Sequence, residues 1–157
     1  MTQTAFEIGK AIANGKLDPV EVTQEALEKI NAHAEKDNIY TVVTSDRAIE
    51  EAKNSHKRQK SGDLKSPLDG VPISWKDLYD SQNIPTEGGS KLLKGRIPKE
   101  DSEVLKRATD AGLVCTGKTH TSELAFSGLG INPNAKTSPN VNGSDLAPGG
   151  SSSGAAA

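Results

Sequence analysis

The chain has 157 residues and a formal charge of −2, with acidic and basic side chains interleaved, so it lacks the basic stripe that draws phosphate backbones and nucleic acid is not an expected partner. Cys115 is the only cysteine, which excludes an internal disulfide and is too little for a structural zinc site. No apolar run approaches bilayer length and the opening residues lack the pattern of a leader, so the expectation is a soluble, cytoplasmic protein with no membrane partner.

In chain order, Ala5, Phe6, Ile8, Ala11 and Ile12 predict a short first helix closed by Asn14-Gly15. The clearest helix start follows, with Asp18 as cap, Pro19 at the first helical position and Glu21 completing a capping-box pattern. Val20, Thr23, Leu27 and Ile30 form its inner stripe, and the helix is expected to run to about Ala34. Tyr40 to Thr44 reads as a strand, and about Asp46 to Lys60 as a charged helix with a wet outer face. Val71 to Lys76 reads as a strand starting at a turn and ending in charge. Pro85 and Gly88-Gly89 mark a loop. Glu103 to Ala111 is a helix capped by Asp101 or Ser102 and ended by Gly112, Leu113 to Thr116 a strand, and Ser122 to Phe126 a short helix. Helices alternating with strands at these lengths argue for an α/β sandwich with some parallel strands.

Hydrophobic residues make up 33% of the chain, against roughly 45–50% apolar with Gly counted in an average domain, so the core is thin. The deficit is concentrated from Gly128 to Gly154, a stretch of mostly Gly, Asn, Ser, Pro and Lys that cannot fold on its own surface. Ending in Gly-Ala-Ala-Ala, the chain reads as interrupted rather than finished.

Gly112 to Thr119 satisfies G-x-x-x-x-G-K-[ST], the phosphate-loop pattern, but a helix precedes it and the intervening residues are themselves a strand. Helix cap, strand and turn is the better reading. Cys115 with His120 suggests a thiol and its base, yet a cysteine inside an apolar strand is more often a small buried hydrophobe. His33 and His56 lie in charged helical stretches and read as surface residues. Lys76 ends an apolar strand after Trp75, where lost hydration favours the neutral amine that can act as a base. Taken alone, a lysine at a strand end is far more often a solvated charge, and Asp77 beside it is placed to hold it protonated. Gly149-Gly150-Ser151-Ser152-Ser153-Gly154 reads either as a flexible linker or as a tight loop presenting hydroxyls and backbone N–H groups to a substrate.

Read together, an ordered series carries more than any one block: Pro67 to Ile73, Lys76-Asp77, Thr86 to Ser90, Asp110-Ala111-Gly112, Gly117-Lys118-Thr119, Asn132-Pro133, Pro139-Asn140 and Gly149 to Ala157. This series resembles the amidase signature family over about residues 64 to 157, and the first sixty residues fit that family's helical N-terminal region less specifically. The resemblance implies an N-terminal helical region over 1–63 and the first, incomplete part of the core over 64–157. That core belongs to a large α/β/α sandwich with a mixed central sheet.

The resemblance further implies a Ser–cis-Ser–Lys mechanism on a small-molecule amide, without cofactor or metal. Lys76 matches the base and Ser151 the bridging hydroxyl, with a cis peptide at Gly150–Ser151 or Ser151–Ser152. Gly149, Gly150, Ser152 and Ser153 match positions that support the site, Ser153 standing where many members have glycine. The nucleophilic serine and the oxyanion-hole donors of the family come in a later segment, so the chain by itself is expected to be inactive. A homo-oligomer is an option that the resemblance allows. Three readings follow: an amidase, the transamidating subunit that makes Gln-tRNA from its misacylated precursor, or a non-catalytic remnant. The Gly128 to Pro133 run, which the transamidating protein normally lacks, favours the first.

Overall fold

The computed structural model describes residues 3–157. Five helices and three strands follow in the order α1 (Ala5–Ala13), α2 (Pro19–Ala32), α3 (Lys36–Ile39), β1 (Tyr40–Val43), α4 (Ser45–Ser61), β2 (Pro72–Lys76), α5 (Glu103–Asp110) and β3 (Val114–Thr119), with short 3₁₀ turns besides. The strands form one sheet in the order β1-β3-β2. β1 runs antiparallel to β3. Val114 N–H donates to the Val71 carbonyl and the Thr116 hydroxyl to that of Ile73, so the partners advance together and β2 and β3 are parallel. The sheet is therefore mixed. None of the described helices is long and apolar enough to cross a membrane.

Residues 3–32, 44–73 and 106–116 form one compact unit. Thr4 opens α1 with a reciprocal capping box: its hydroxyl accepts from Glu7 N–H at 3.2 Å, and the Glu7 carboxylate accepts from Thr4 N–H at 2.7 Å. Asp18 caps α2 by accepting from Val20 N–H at 2.8 Å. α2 packs on α4, burying Thr23 and Leu27 on one helix and Ala48, Ala52 and Ser55 on the other. It ends at Ala32, two residues before the expected limit. Gln59, one turn from the end of α4, donates to the carbonyls of Ile12 and Leu17 at 2.7 and 2.8 Å and so ties down the link between α1 and α2. His56 is not a free surface residue: its Nδ1 lies 2.5 Å from Oδ2 of Asp18, on the carboxylate that caps α2.

Asp69 holds this unit's loops. Its fully buried carboxylate takes a two-pronged bond from Arg58, at 2.7 and 2.6 Å, and another from Lys65 N–H at 2.9 Å. Gly112, at φ +90°, lies so close that a Cβ there would stand 2.4 Å from the Asp69 carboxyl carbon. Glycine is needed both for the helix exit and for the carboxylate.

The second unit comprises residues 33–43, 74–105 and 117–157. Its antiparallel pairing matches Tyr40 with Thr119, Val42 with Lys118 and Val43 with Gly117, with an irregularity between Tyr40 and Val42. A Cβ on Gly117 would meet the Val42 carbonyl oxygen at 2.6 Å, which explains a glycine inside a strand. β3 continues through Gly117-Lys118-Thr119, further than its apolar residues alone predict. The helix expected over Ser122 to Phe126 is only a 3₁₀ turn at Glu123–Ala125, with Leu124 at φ +48° and Ala125 at φ +60°. There Leu124 N–H donates to the Gly88 carbonyl at 2.8 Å, outside any helical ladder.

The polar stretch after Gly128 is held by hydrogen bonds in place of an apolar core. Asn132 Nδ2 donates to the carbonyls of Gly89 and Thr121, both at 2.9 Å, and its Oδ1 accepts from Asn134 N–H. Ser138 donates to the Asn38 carbonyl at 2.7 Å, and Leu129 bridges to Gly149.

Burial pushes the Asp69 carboxyl up, but the bonds from Arg58 and Lys65 N–H outweigh it and leave the group below the ordinary carboxylate range. Its contribution to stability is thus present above that range and lost as pH falls through the folded value. Asp69→Asn is expected to lower stability near neutral pH by about 2–3 kcal/mol, read as a lower urea midpoint. The two curves should converge as pH falls below the depressed folded value of Asp69.

Candidate active site

Lys76 is the last residue of β2, and Ser151 lies 75 residues on, in the glycine-flanked loop. The structure brings them together: Lys76 Nζ donates to Ser151 Oγ at 2.5 Å. The loop is fixed from both sides. Ser151's carbonyl accepts from Ser122 N–H at 3.1 Å and from the Thr121 hydroxyl at 2.8 Å, and Gly150 N–H donates to the Gly128 carbonyl at 2.8 Å. The Gly150–Ser151 peptide is cis. A Cβ on Gly150 would come within 2.7 Å of the Ser127 and Leu129 carbonyl oxygens, so no larger residue fits that turn.

The other loop residues divide. Ser153 is fully buried, whereas Ser152 is exposed and its side chain makes no hydrogen bond among the described residues. Gly149 is exposed with open space where a Cβ would be. Gly154 is packed too tightly for a side chain, 2.4 Å from the Ile39 carbonyl oxygen by the same measure, and its N–H donates to the His120 carbonyl.

Lys76 is partly buried, and desolvation lowers its pKa from the ordinary lysine value. Among the described residues it has no carboxylate partner. Asp77, its neighbour, goes elsewhere. Its Oδ2 accepts from Glu87 N–H at 3.2 Å and its Oδ1 stands 3.1 Å from the ammonium of Lys118. Burial raises the Asp77 carboxyl, and Lys118 pulls against it. Lys118 is wholly buried and also donates to the Tyr79 carbonyl at 2.7 Å and the Thr86 hydroxyl at 2.5 Å.

In the sequence Lys118 stands out as a letter of the phosphate-loop pattern and as part of the Gly117-Lys118-Thr119 block, and its partnership with Asp77 is not visible there. The available signal is a lysine inside a strand of otherwise uncharged residues, which needs a buried anion somewhere. Gly112 to Thr119 forms no loop: its residues from Val114 onward are strand β3, and its lysine faces carbonyl, hydroxyl and carboxylate oxygens. Cys115 is buried, beside the hydroxyl of Thr44, while His120 directs Nε2 at the Asp37 carbonyl at 3.2 Å. A cavity of about 400 Å³ is lined by Tyr40, Asp77, Glu87, Ser90 and His120 among others, but not by Lys76 or Ser151, so it is not read as the place of the chemistry.

A model of the amidase family matches residues 21–157. The chain is 36% identical over 154 residues to a component of the glutamyl-tRNA(Gln) amidotransferase of Thermobifida fusca, covering 98% of this chain and 31% of that one. It is 38% identical over 156 residues to the corresponding component in Streptomyces coelicolor, with the same coverage. Among solved structures, the native peptide amidase of Stenotrophomonas maltophilia superposes with a TM-score of 0.85 at 29% identity, over 97% of this chain and 32% of that one. A protein described as part of a vestigial complex revealing the origins of an s-triazine catabolic enzyme gives 0.89 at 30% identity, over 97% and 34%. The chain thus spans about a third of the length of the relatives it matches.

Calorimetric titration of the protein with ATP or GTP is expected to give no heat from Gly112 to Thr119, because a buried strand presents no row of N–H groups to a phosphate. Micromolar binding that Lys118→Ala abolishes would overturn that reading.

Proposed function

The chain belongs to the amidase family, and on that premise we propose that it carries the proton-relay half of a site that cleaves a carboxamide C–N bond through an acyl-enzyme. The observation behind this reading is the 2.5 Å contact between Lys76 Nζ and Ser151 Oγ. A relay works only at hydrogen-bond distance, and an amine whose charged form is penalised by burial more readily offers its lone pair. Lys76 is the base in this reading and Ser151 the bridging hydroxyl. Gly150 and Ser153 shape the loop from within, while Gly149 and Ser152 stand on its exposed side, where a substrate or a further segment can meet them.

The attacking hydroxyl belongs to a serine of a further segment, as the family resemblance implies. Its proton passes to Ser151 while the proton of Ser151 passes to Lys76, and a C–O bond forms to the amide carbonyl. The C–N bond then breaks, and the proton on Lys76 returns through Ser151 to the departing amine or ammonia. Water attacks the acyl carbonyl by the same relay, the C–O bond breaks, and a carboxylic acid leaves. The substrate class is a small-molecule amide.

A second reading keeps the relay and changes the destination of the nitrogen. Two of the similar proteins are named as subunits of a glutamyl-tRNA(Gln) amidotransferase, which favours release of ammonia for transfer to a glutamyl-tRNA in an assembly with other subunits. The Gly128 to Pro133 run favours the hydrolase.

Full-length protein is to be assayed on a panel of short amides and, in parallel, for glutamine-dependent amidation of glutamyl-tRNA. Lys76→Ala and Ser151→Ala are each expected to lower turnover by on the order of 10²–10⁴ in whichever assay is active. Since the neutral amine is the base, kcat/KM should rise as pH climbs through the depressed Lys76 value. Residues 1–157 alone should turn over neither substrate, because the loss of even one oxyanion donor costs about 10²–10³. Wild-type rates in Lys76→Ala would sink the proposal.

A further inference from the structure

Asp77 follows Lys76 directly, and a carboxylate next to an amine ordinarily holds it protonated, unable to accept a proton. Resting on the reading of Lys76 as the base, we infer that Lys118 is a positioning residue for the relay: by engaging the Asp77 carboxylate it leaves Lys76 without a counter-ion, facing Ser151.

The geometry carries this. Asp77 is 2% exposed and Lys118 0%, so the pair is shut away from water and its two charges act on each other at close range. Lys118 cannot drift toward Lys76's partner, because the Tyr79 carbonyl and the Thr86 hydroxyl hold its ammonium at 2.7 and 2.5 Å. Asp77 is held in turn by Glu87 N–H. The chain turns at Asp77, the first residue beyond β2, where its N–H donates to the Thr119 carbonyl and its carbonyl accepts from Gly88 N–H, which fixes the carboxylate against Glu87 N–H and Lys118.

The remaining charged groups around the pair are engaged elsewhere or exposed. Glu87 accepts from Gly95 N–H, Asp80 is paired with Arg96, and His120 faces the Asp37 carbonyl. Lys91, Lys94 and Lys136, with Asp37, line the neighbouring cavity from exposed positions. Burial alone, by desolvation, holds the Lys76 amine below the ordinary lysine value.

The test is the pH dependence of kcat/KM in the full-length protein, together with the titration of Lys76 followed by NMR in ¹³Cε-lysine-labelled protein. Wild type should show a limb that matches the Lys76 titration. In Lys118→Met the Asp77 carboxyl loses its cation and burial pushes it further up, but wherever it is ionised its charge acts on Lys76 and should move that limb to higher pH by on the order of one unit, roughly a tenfold loss on the acidic side that is regained at high pH. Asp77→Asn with Lys118 intact leaves an uncompensated cation and should move the limb the opposite way. The double variant Asp77→Asn/Lys118→Met removes both charges and should restore the wild-type limb.

A purely structural role would lower activity at every pH and leave the limb in place, and that result overturns the inference. So does a double variant whose limb stays displaced. If Lys118→Met does not fold, the direction of the shift in Asp77→Asn decides, and an unmoved limb there is equally fatal. A wild-type enzyme whose Lys76 titrates at the ordinary lysine value, with no matching limb, would instead sink the reading of Lys76 as the base.

Discussion

Strand β3 is the constraint on which the rest depends. It lies between the other two strands, and all six of its residues are buried. A central strand has no edge to leave unpaired and no wet face on which to park a charge. Every polar group it carries must therefore find a partner within the protein. The Thr119 carbonyl accepts from Asp77 N–H, the Thr119 hydroxyl donates to the Trp75 carbonyl, and the Thr41 hydroxyl donates to the carbonyl of Lys118. The residues that follow the strand, Thr121 and Ser122, go on to hold the carbonyl of Ser151. One strand thus fixes the chain end that bears Lys76 and leads into the clasp on the loop that bears Ser151.

Polar contacts take over where apolar ones are scarce. Asp69 with Arg58, Gln59 with two carbonyls and Asn132 with two more are each a side chain that gathers several loop groups at once. A buried group of this kind stabilises little beyond what its desolvation costs, but its geometry is exacting, so such contacts specify a loop path more than they add strength. That suits a chain with few large hydrophobic residues. It also suits a chain that must bring a lysine at the end of a strand against a serine in a glycine-flanked loop.

What is legible in the sequence is mainly local. The start of α2 can be read because Asp18, Pro19 and Glu21 act within one turn, and Gly112 because a helix exit of that shape needs positive φ. Lys76 and Ser151 can be joined only through the order of many blocks, since neither residue carries in its neighbours any sign of the other. The misreadings share a cause. His56 reads as a surface residue because its partner Asp18 is 38 residues away. The turn at Glu123–Ala125 reads as a helix because the bond from Leu124 N–H to Gly88 cannot be foreseen from its own residues. α3, four residues without a side-chain cap, gives no periodic signal to find.

The separation of 75 residues between Lys76 and Ser151 also has a meaning in time. At typical synthesis rates of about 5–20 residues per second, roughly 4–15 seconds pass on the ribosome between the two codons. Throughout that interval the lysine has no serine to meet, and the glycine-flanked loop that shields it does not exist. Its amine is then an ordinary hydrated ammonium, with no proton vacancy to offer. The depressed pKa that desolvation gives Lys76 is thus a property of the folded chain, absent from a nascent copy in which the residues near Ser151 have not yet been made.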